Sequence, residues 1–180
     1  MGRPKALVEL AGEPLVRRAL DVLARGGCAP LVVVVGAAAA DVRAVLPPGV
    51  TTVHAEDWAE GMGASLRAGL AALAELDPPP DAALVHLVDL PGVTAEAVAR
   101  LAEAGTGPAA LVRAAYGGRP AHPVVLGRSH WAGVRAAAVG DAGARAYLAG
   151  HPELRLVECA DVADPADVDT VEQLARYRTP

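Results

Sequence analysis

Three sets of side chains in this 180-residue sequence could together handle phosphate. Asp89 directly follows the apolar run Ala83–Val88, and Pro91-Gly92 closes the segment. A carboxylate in that place stands beyond the carboxyl end of a buried strand, where open α/β sheets bind ligands. A second acidic group comes late in the chain, with aspartates at 161, 164, 167 and 169. Mg²⁺ takes hard oxygen donors, often one or two carboxylates together with substrate phosphates. Asp89 with Asp169 or Asp167 could supply them. Lys5, with Arg3 nearby, is the basic counterpart: an ammonium holds phosphate as a point charge, and a guanidinium can grip it bidentately. Plainer readings stand beside these. Asp89 could cap the turn before Pro91, the aspartate run could be a solvated loop, and Arg3 and Lys5 could be solvated charges.

Two further stretches have the right residue types for ligand contact. Gly61-Met62-Gly63-Ala64-Ser65 would let backbone approach a ligand and set Ser65 at a helix start, where free N–H groups favour an anion. An ordinary turn with an N-cap fits the same residues. His122, at the end of a loop rich in Gly and Pro, could touch substrate or make a structural hydrogen bond. His54 and His86 lie in or beside apolar strands and read as packed residues. No set of His, Cys and carboxylate has zinc spacing, and Ser65 has no visible triad.

The elements that must position these groups alternate. Strands are expected over Leu31–Val35, Val50–His54, Ala83–Val88 and Ala109–Ala114. Helices are expected from near Pro14 to Gly26, over Ala37–Leu46, from Ala64-Ser65 to about Leu76, and over Ala95–Ala104 behind a Thr94 cap. That rhythm implies right-handed βαβ units and a Rossmann-like, three-layer α/β/α domain with a mostly parallel sheet. Ala83–Val88 would be its central strand. The last third is less regular, with a loop over Tyr116–His122, strands at Pro123–Leu126 and Leu154–Glu158, and short helices at His130–Ala138, Ala144–Ala149 and Thr170–Tyr177.

Composition narrows the classes of function. Hydrophobic residues make up 53% and charged residues 21%, enough for a real core, and Phe is absent. The net charge of −5 and the lack of a basic block argue against a nucleic-acid surface. No apolar stretch reaches membrane-spanning length and no signal peptide is evident, so the expectation is a cytoplasmic protein of one domain, residues 1–180. Cys28 and Cys159 have no metal-ligand spacing and read as small buried residues.

Several segments together resemble the MobA/MocA-like nucleotidyltransferases, and most closely their molybdenum cofactor cytidylyltransferase branch. They are Gly2-Arg3-Pro4-Lys5 with Leu10–Leu15, Trp58–Gly69, Asp89-Leu90-Pro91, Gly118–Pro123, Gly140–Arg145 and Asp167–Thr170. The resemblance implies transfer of CMP from CTP, with Mg²⁺, to a phosphorylated pterin-type acceptor and release of diphosphate. On matched positions Lys5 would hold the triphosphate with Arg3 assisting, and Asp89 with Asp169 or Asp167 would bind Mg²⁺. Gly61, Gly63 and Ser65 would lie near the nucleotide, while Gly118–His122 and Gly140–Gly143 would shape the acceptor side. A shared ion requires Asp89 and Asp169 within about 10 Å of each other.

Two departures accompany it. Family members carry a strand and a Gly-rich loop before the segment matched by Met1–Lys5, so a middle strand of the sheet is expected to be missing here, with translation starting upstream. Leu90 stands where cytidylyltransferases usually carry Gln. Other readings are an NAD(P)H-dependent oxidoreductase resembling nicotine blue oxidoreductase, a sugar-phosphate nucleotidyltransferase, and a non-catalytic nucleotide-binding protein. The oligomer is expected to be a monomer or homodimer.

Overall fold

The structure, a computed structural model, describes residues 4–177. A 3₁₀ turn at Lys5–Leu7 leads into a small antiparallel ribbon, β1 (Glu9–Leu10) and β2 (Glu13–Pro14), whose tight turn uses Gly12 at φ 80°. Helix α1 (Leu15–Arg25) comes next and stops at Gly26, with Gly27 at positive φ. Then come β3 (Val32–Val35), α2 (Ala39–Val45), β4 (Thr51–His54), α3 (Met62–Ala74), β5 (Ala82–Val85) and α4 (Ala95–Ala104). The Thr94 hydroxyl caps α4 by accepting the Ala97 N–H at 3.2 Å. The remainder is β6 (Leu111–Tyr116), β7 (Arg119–Gly127), α5 (Trp131–Ala137), α6 (Arg145–Leu148), β8 (Arg155–Glu158) and α7 (Val171–Ala175).

Three layers are visible in the side chains of β6 and β7. Leu111, Val124 and Leu126 pack with Leu70 of α3, Trp131 and Val134 of α5, and Leu148 of α6. Their neighbours Val112, Ala114 and Val125 pack on the other face with Ala97 and Leu101 of α4. Successive strand residues point to opposite faces, so a strand covered on both sides must be apolar throughout. On the α4 side, Gly26 leaves room for Val98, and Val22 and Leu23 of α1 join the same cluster.

The sheet is mixed, which corrects the expectation of a mostly parallel one. β3 and β4 are parallel, but the larger sheet runs in the order β5-β7-β6-β8, with β7 antiparallel to both β5 and β6. The cause is local. The segment Tyr116–His122, expected to be a loop, is a hairpin whose two turn residues, Gly117 and Gly118, have φ of 59° and 76°. Two positive-φ glycines suit a two-residue turn, and such a turn can join only antiparallel strands. Glu158 fastens it: its carboxylate accepts the backbone N–H groups of Gly117 and Gly118 at 3.0 Å, and those of Cys159 and Ala160. The N–H groups of Gly118, Ala160 and Gly117 hold that carboxyl below its usual range.

Ala83–Val88 also differs from its expected role. Only Ala82–Val85 is strand, and it is an edge of the four-stranded sheet among the described residues, not its centre. In the two-stranded sheet, β3 likewise has an unpaired edge among the described residues. A cavity of about 260 Å³ lies between them, with Leu31 and Val32 on one side and Ala82, Ala83 and Leu84 on the other. Each edge leaves backbone groups unpaired toward that space.

Candidate functional site at the carboxyl end of the strands

Lys5, Asp89 and Asp169 meet. The Lys5 ammonium donates to Asp89 Oδ2 at 2.7 Å and lies 2.5 Å from Asp169 Oδ1. The two carboxylate oxygens are therefore at most about 5 Å apart, inside the limit of roughly 10 Å that a shared ion sets. Burial alone would lower the Lys5 pKa; the hydrogen bonds with Asp169 and Asp89 outweigh it and hold the ammonium above its ordinary value.

Each partner is positioned from its own segment. Lys5 is fixed by its 3₁₀ turn, where Val8 N–H returns to the Lys5 carbonyl at 3.0 Å, and buried Val8 and Leu10 anchor the ribbon behind it. Asp89 precedes buried Leu90, and its carbonyl accepts the Val168 N–H at 3.0 Å, so the two acidic loops are tied together. Asp169 lies between fully buried Val168 and the capping box of α7. In that box Thr170 Oγ1 accepts the Gln173 N–H, and Gln173 Oε1 accepts from Asp169 and Thr170. Asp167 makes no side-chain hydrogen bond or ion pair among the described residues, so the geometry separates it from Asp169. Arg3 lies outside the described residues.

Beside Asp89 sit two imidazoles that share one environment. Burial, then the neighbouring His122, lower the His86 pKa to about 4, against the pull of Asp89. Burial likewise lowers that of His122, with Arg113 adding to it while Val85 and Asp89 partly offset it. Both rings are neutral at pH 7, and Nδ1 of each is buried without a partner among the described residues. His86 faces a cavity of about 220 Å³ bounded by Val88, Leu90 and the Arg18 side of α1. Arg113 donates to the Ala121 carbonyl at 3.0 Å, and burial and then the nearby Arg145 lower its pKa. His86 is packed, as its place beside an apolar run implies, and lies near enough to Asp89 to feel its charge.

The Gly61–Ser65 segment is docked on the other glycine-rich stretch. Helix α3 starts at Met62, so Ser65 is its fourth residue. Gly61 has φ 115°, and a side chain there would meet Asp141 and Gly140; one at Gly63 would meet the Ala138 carbonyl and Gly140. Asp141 Oδ1 accepts the Met62 N–H at 3.3 Å, and Arg67 binds both Glu60 and the Ala138 carbonyl. The glycines at 61 and 63 are explained by this close packing. Trp58 and Met62, both exposed, border it.

A second group of ligand-type side chains was not legible in sequence. His130, His151 and Glu153 each place a ligand atom within 4.8 Å of the others. This corrects the expectation that no such set exists: His130 lies far along the chain from the other two and is joined to them by the packing of α5 and α6. The group lies at the other end of the strands. Gly127, three residues before His130, pairs with Ala82, whereas Val85, four before Asp89, pairs with Val124.

The strand-end loops of this three-layer α/β fold thus gather an ammonium and two carboxylates. The sequence matches the MobA-like NTP transferase domain over residues 1–156, and the chain belongs to that family. It is 39% identical over 187 residues to a nicotine blue oxidoreductase of Paenarthrobacter nicotinovorans, spanning 98% of this chain and 89% of that protein. Among solved structures, the Rv0371c homologue of Mycobacterium sp. strain JC1 superposes with a TM-score of 0.79 at 26% identity, over 98% of this chain and 89% of that one. Rv0371c of Mycobacterium tuberculosis H37Rv, in complex with manganese, gives 0.73 at 27% identity over 98% and 92%. Among the described residues no helix is long and apolar enough to cross a membrane.

Proposed function

We propose that the Asp89 end of the sheet binds nucleotide phosphates, with a divalent cation held by Asp89 and Asp169. The observation that carries this is Lys5, bonded to both carboxylates at once. Hard oxygens converging on one positive charge are the donor set of a Mg²⁺-class ion, and the ammonium now fills that role. An ion there would free Nζ to neutralise phosphate. When bound, it supplies charge compensation and alignment of phosphate oxygens. The manganese complex of a relative at 27% identity supports the assignment. The reading treats residues 1–180 as one domain.

Of the reactions such a site can serve, NAD(P)H-dependent reduction comes first. Its support is the 39% identity to a nicotine blue oxidoreductase across nearly the whole chain. In this reading Lys5, with a cation held by the carboxylate pair, would hold the cofactor's diphosphate, and the reduced nicotinamide would supply a hydride to the acceptor, the matching proton coming from water. The neutral imidazoles of His86 and His122 orient that acceptor by hydrogen bonding without adding charge.

Transfer of CMP from CTP to a phosphorylated pterin-type acceptor is the second reading, favoured by family membership and the carboxylate–lysine geometry. An acceptor phosphate oxygen attacks the α-phosphorus, the bond to the bridging oxygen breaks, and diphosphate leaves with that electron pair. Lys5 aligns the triphosphate; Arg113 and Arg145, close enough to repel, would face the acceptor's phosphate.

One set of assays separates these readings. The chain, alone and extended upstream, is given NADPH with a quinonoid dye, or CTP with a phosphorylated pterin, each with and without Mg²⁺. Dye-dependent NADPH oxidation without a triphosphate supports reduction. Mg²⁺-dependent diphosphate release, lost in Asp89→Ala, supports transfer. Binding without turnover in either form indicates a nucleotide-binding protein, and nucleotide binding unchanged by Asp89→Ala removes the site itself.

A further inference from the structure

We propose that His130, His151 and Glu153 form a zinc-class metal site at the end of the sheet opposite Asp89. Two imidazoles and a carboxylate suit Zn²⁺ and its neighbours in the first transition row, whereas Mg²⁺ favours oxygen donors alone. The ligand atoms already lie within 4.8 Å of one another. Zn–N and Zn–O bonds near 2 Å put tetrahedral ligands roughly 3.3 Å apart, so closure needs shifts on the order of 1 Å. Glu153 is exposed and His151 half-buried, so both can make that shift. His130, 6% exposed, is the fixed member.

The hydrogen bonds around His130 leave it prepared for a metal. Its Nε2 lies 3.1 Å from the Ala109 carbonyl, which can only accept, so Nε2 carries the proton. A metal-bound imidazole usually donates its other N–H to a carbonyl or carboxylate in this way, which fixes the ring and its tautomer. Nδ1 is then the ligand atom. It now accepts the Tyr147 hydroxyl at 2.9 Å. Tyr147 reaches this place because Gly133 on α5 leaves space for its ring, which lies 5.0 Å from that of His151. On metal binding that hydroxyl gives up Nδ1 and holds water in the open fourth position. The site would fasten the segment before β8 to the start of α5.

The test uses the whole chain, stripped with EDTA and held in excess Mg²⁺ to occupy the carboxylate end. Calorimetric titration with Zn²⁺ is expected to find one ion per chain, and Co²⁺ in its place the visible absorption of a four-coordinate site. His151→Ala and Glu153→Gln, both away from the core, should each weaken binding at least about tenfold. Asp89→Ala should leave it unchanged. A hundredfold excess of Zn²⁺ over Kd should raise Tm by about 5–10 °C. Absence of stoichiometric binding, wild-type affinity in both ligand variants, or loss of zinc binding in Asp89→Ala would each overturn the proposal.

Discussion

The two ends of the β5–β7 pair solve opposite electrostatic problems. At the Asp89 end, two carboxylates are brought close enough to repel, and the Lys5 ammonium compensates them. At the His130 end the imidazole is satisfied by neutral partners, a tyrosine hydroxyl and a backbone carbonyl. One end is therefore organised around an excess of negative charge that calls for a cation, and the other around lone pairs that can exchange a hydroxyl for a metal. Strand ends of one sheet can thus offer different cations different donors. Hard oxygens stand at one end; nitrogen with a single carboxylate stands at the other.

The contrast can be broken first at Asp89. Asp89→Ala should lower nucleotide-dependent turnover by about 100- to 1000-fold, the scale of losing a preorganised electrostatic group, and steady-state kinetics would read it. Acid should come next. His86 has a folded pKa of about 4 against an ordinary 6.5, so the unfolded chain binds more protons between those values. Stability is then full above about pH 6.5 and falls as pH drops toward 4, by up to roughly 3 kcal/mol. Burial of His122 adds in the same direction. Urea midpoints at pH 7.5 and 4.5 would show this, and His86→Leu should flatten the dependence; a midpoint that rises on acidification would contradict it.

Smaller effects sharpen the comparison. Asp169→Asn should weaken Mg²⁺-dependent nucleotide binding at least about tenfold, while Asp167→Asn should stay within about twofold, as expected of an exposed carboxylate that makes no ion pair among the described residues. Equal losses in the two variants would mean that the geometry chose the wrong aspartate. Thr170→Ala removes the cap that follows Asp169 and should cost about 1 kcal/mol in denaturant unfolding. Its effect on nucleotide affinity should be smaller than that of Asp169→Asn.

Much of this was legible along the chain. Alternating elements up to about residue 114, the Thr94 cap, the stop at Gly26-Gly27 and the terminal helix behind Thr170 all follow from rules that act within a few residues. Pairing Lys5 with Asp89 and a late aspartate was also within reach, because a strand-end carboxylate and a family resemblance pointed the same way. The hairpin is not legible locally, because Gly117-Gly118, followed by Arg119-Pro120, reads equally well as loop. Once it forms, it inserts β7 between β5 and β6 and turns a parallel expectation into a mixed sheet.

By itself, then, the sequence determined the period and ends of most elements, the apolar character of strands covered on both faces, and membership of the MobA-like NTP transferase domain family. Tertiary structure alone decided that β5 lies at an edge, that Asp169 and not Asp167 meets Lys5, that His86 and His122 share a buried environment, and that His130 meets His151 and Glu153. The division has a physical cause. Capping, turn conformation and hydrophobic period are set by neighbours in the chain, whereas sheet order and converging side chains depend on which distant surfaces bury one another.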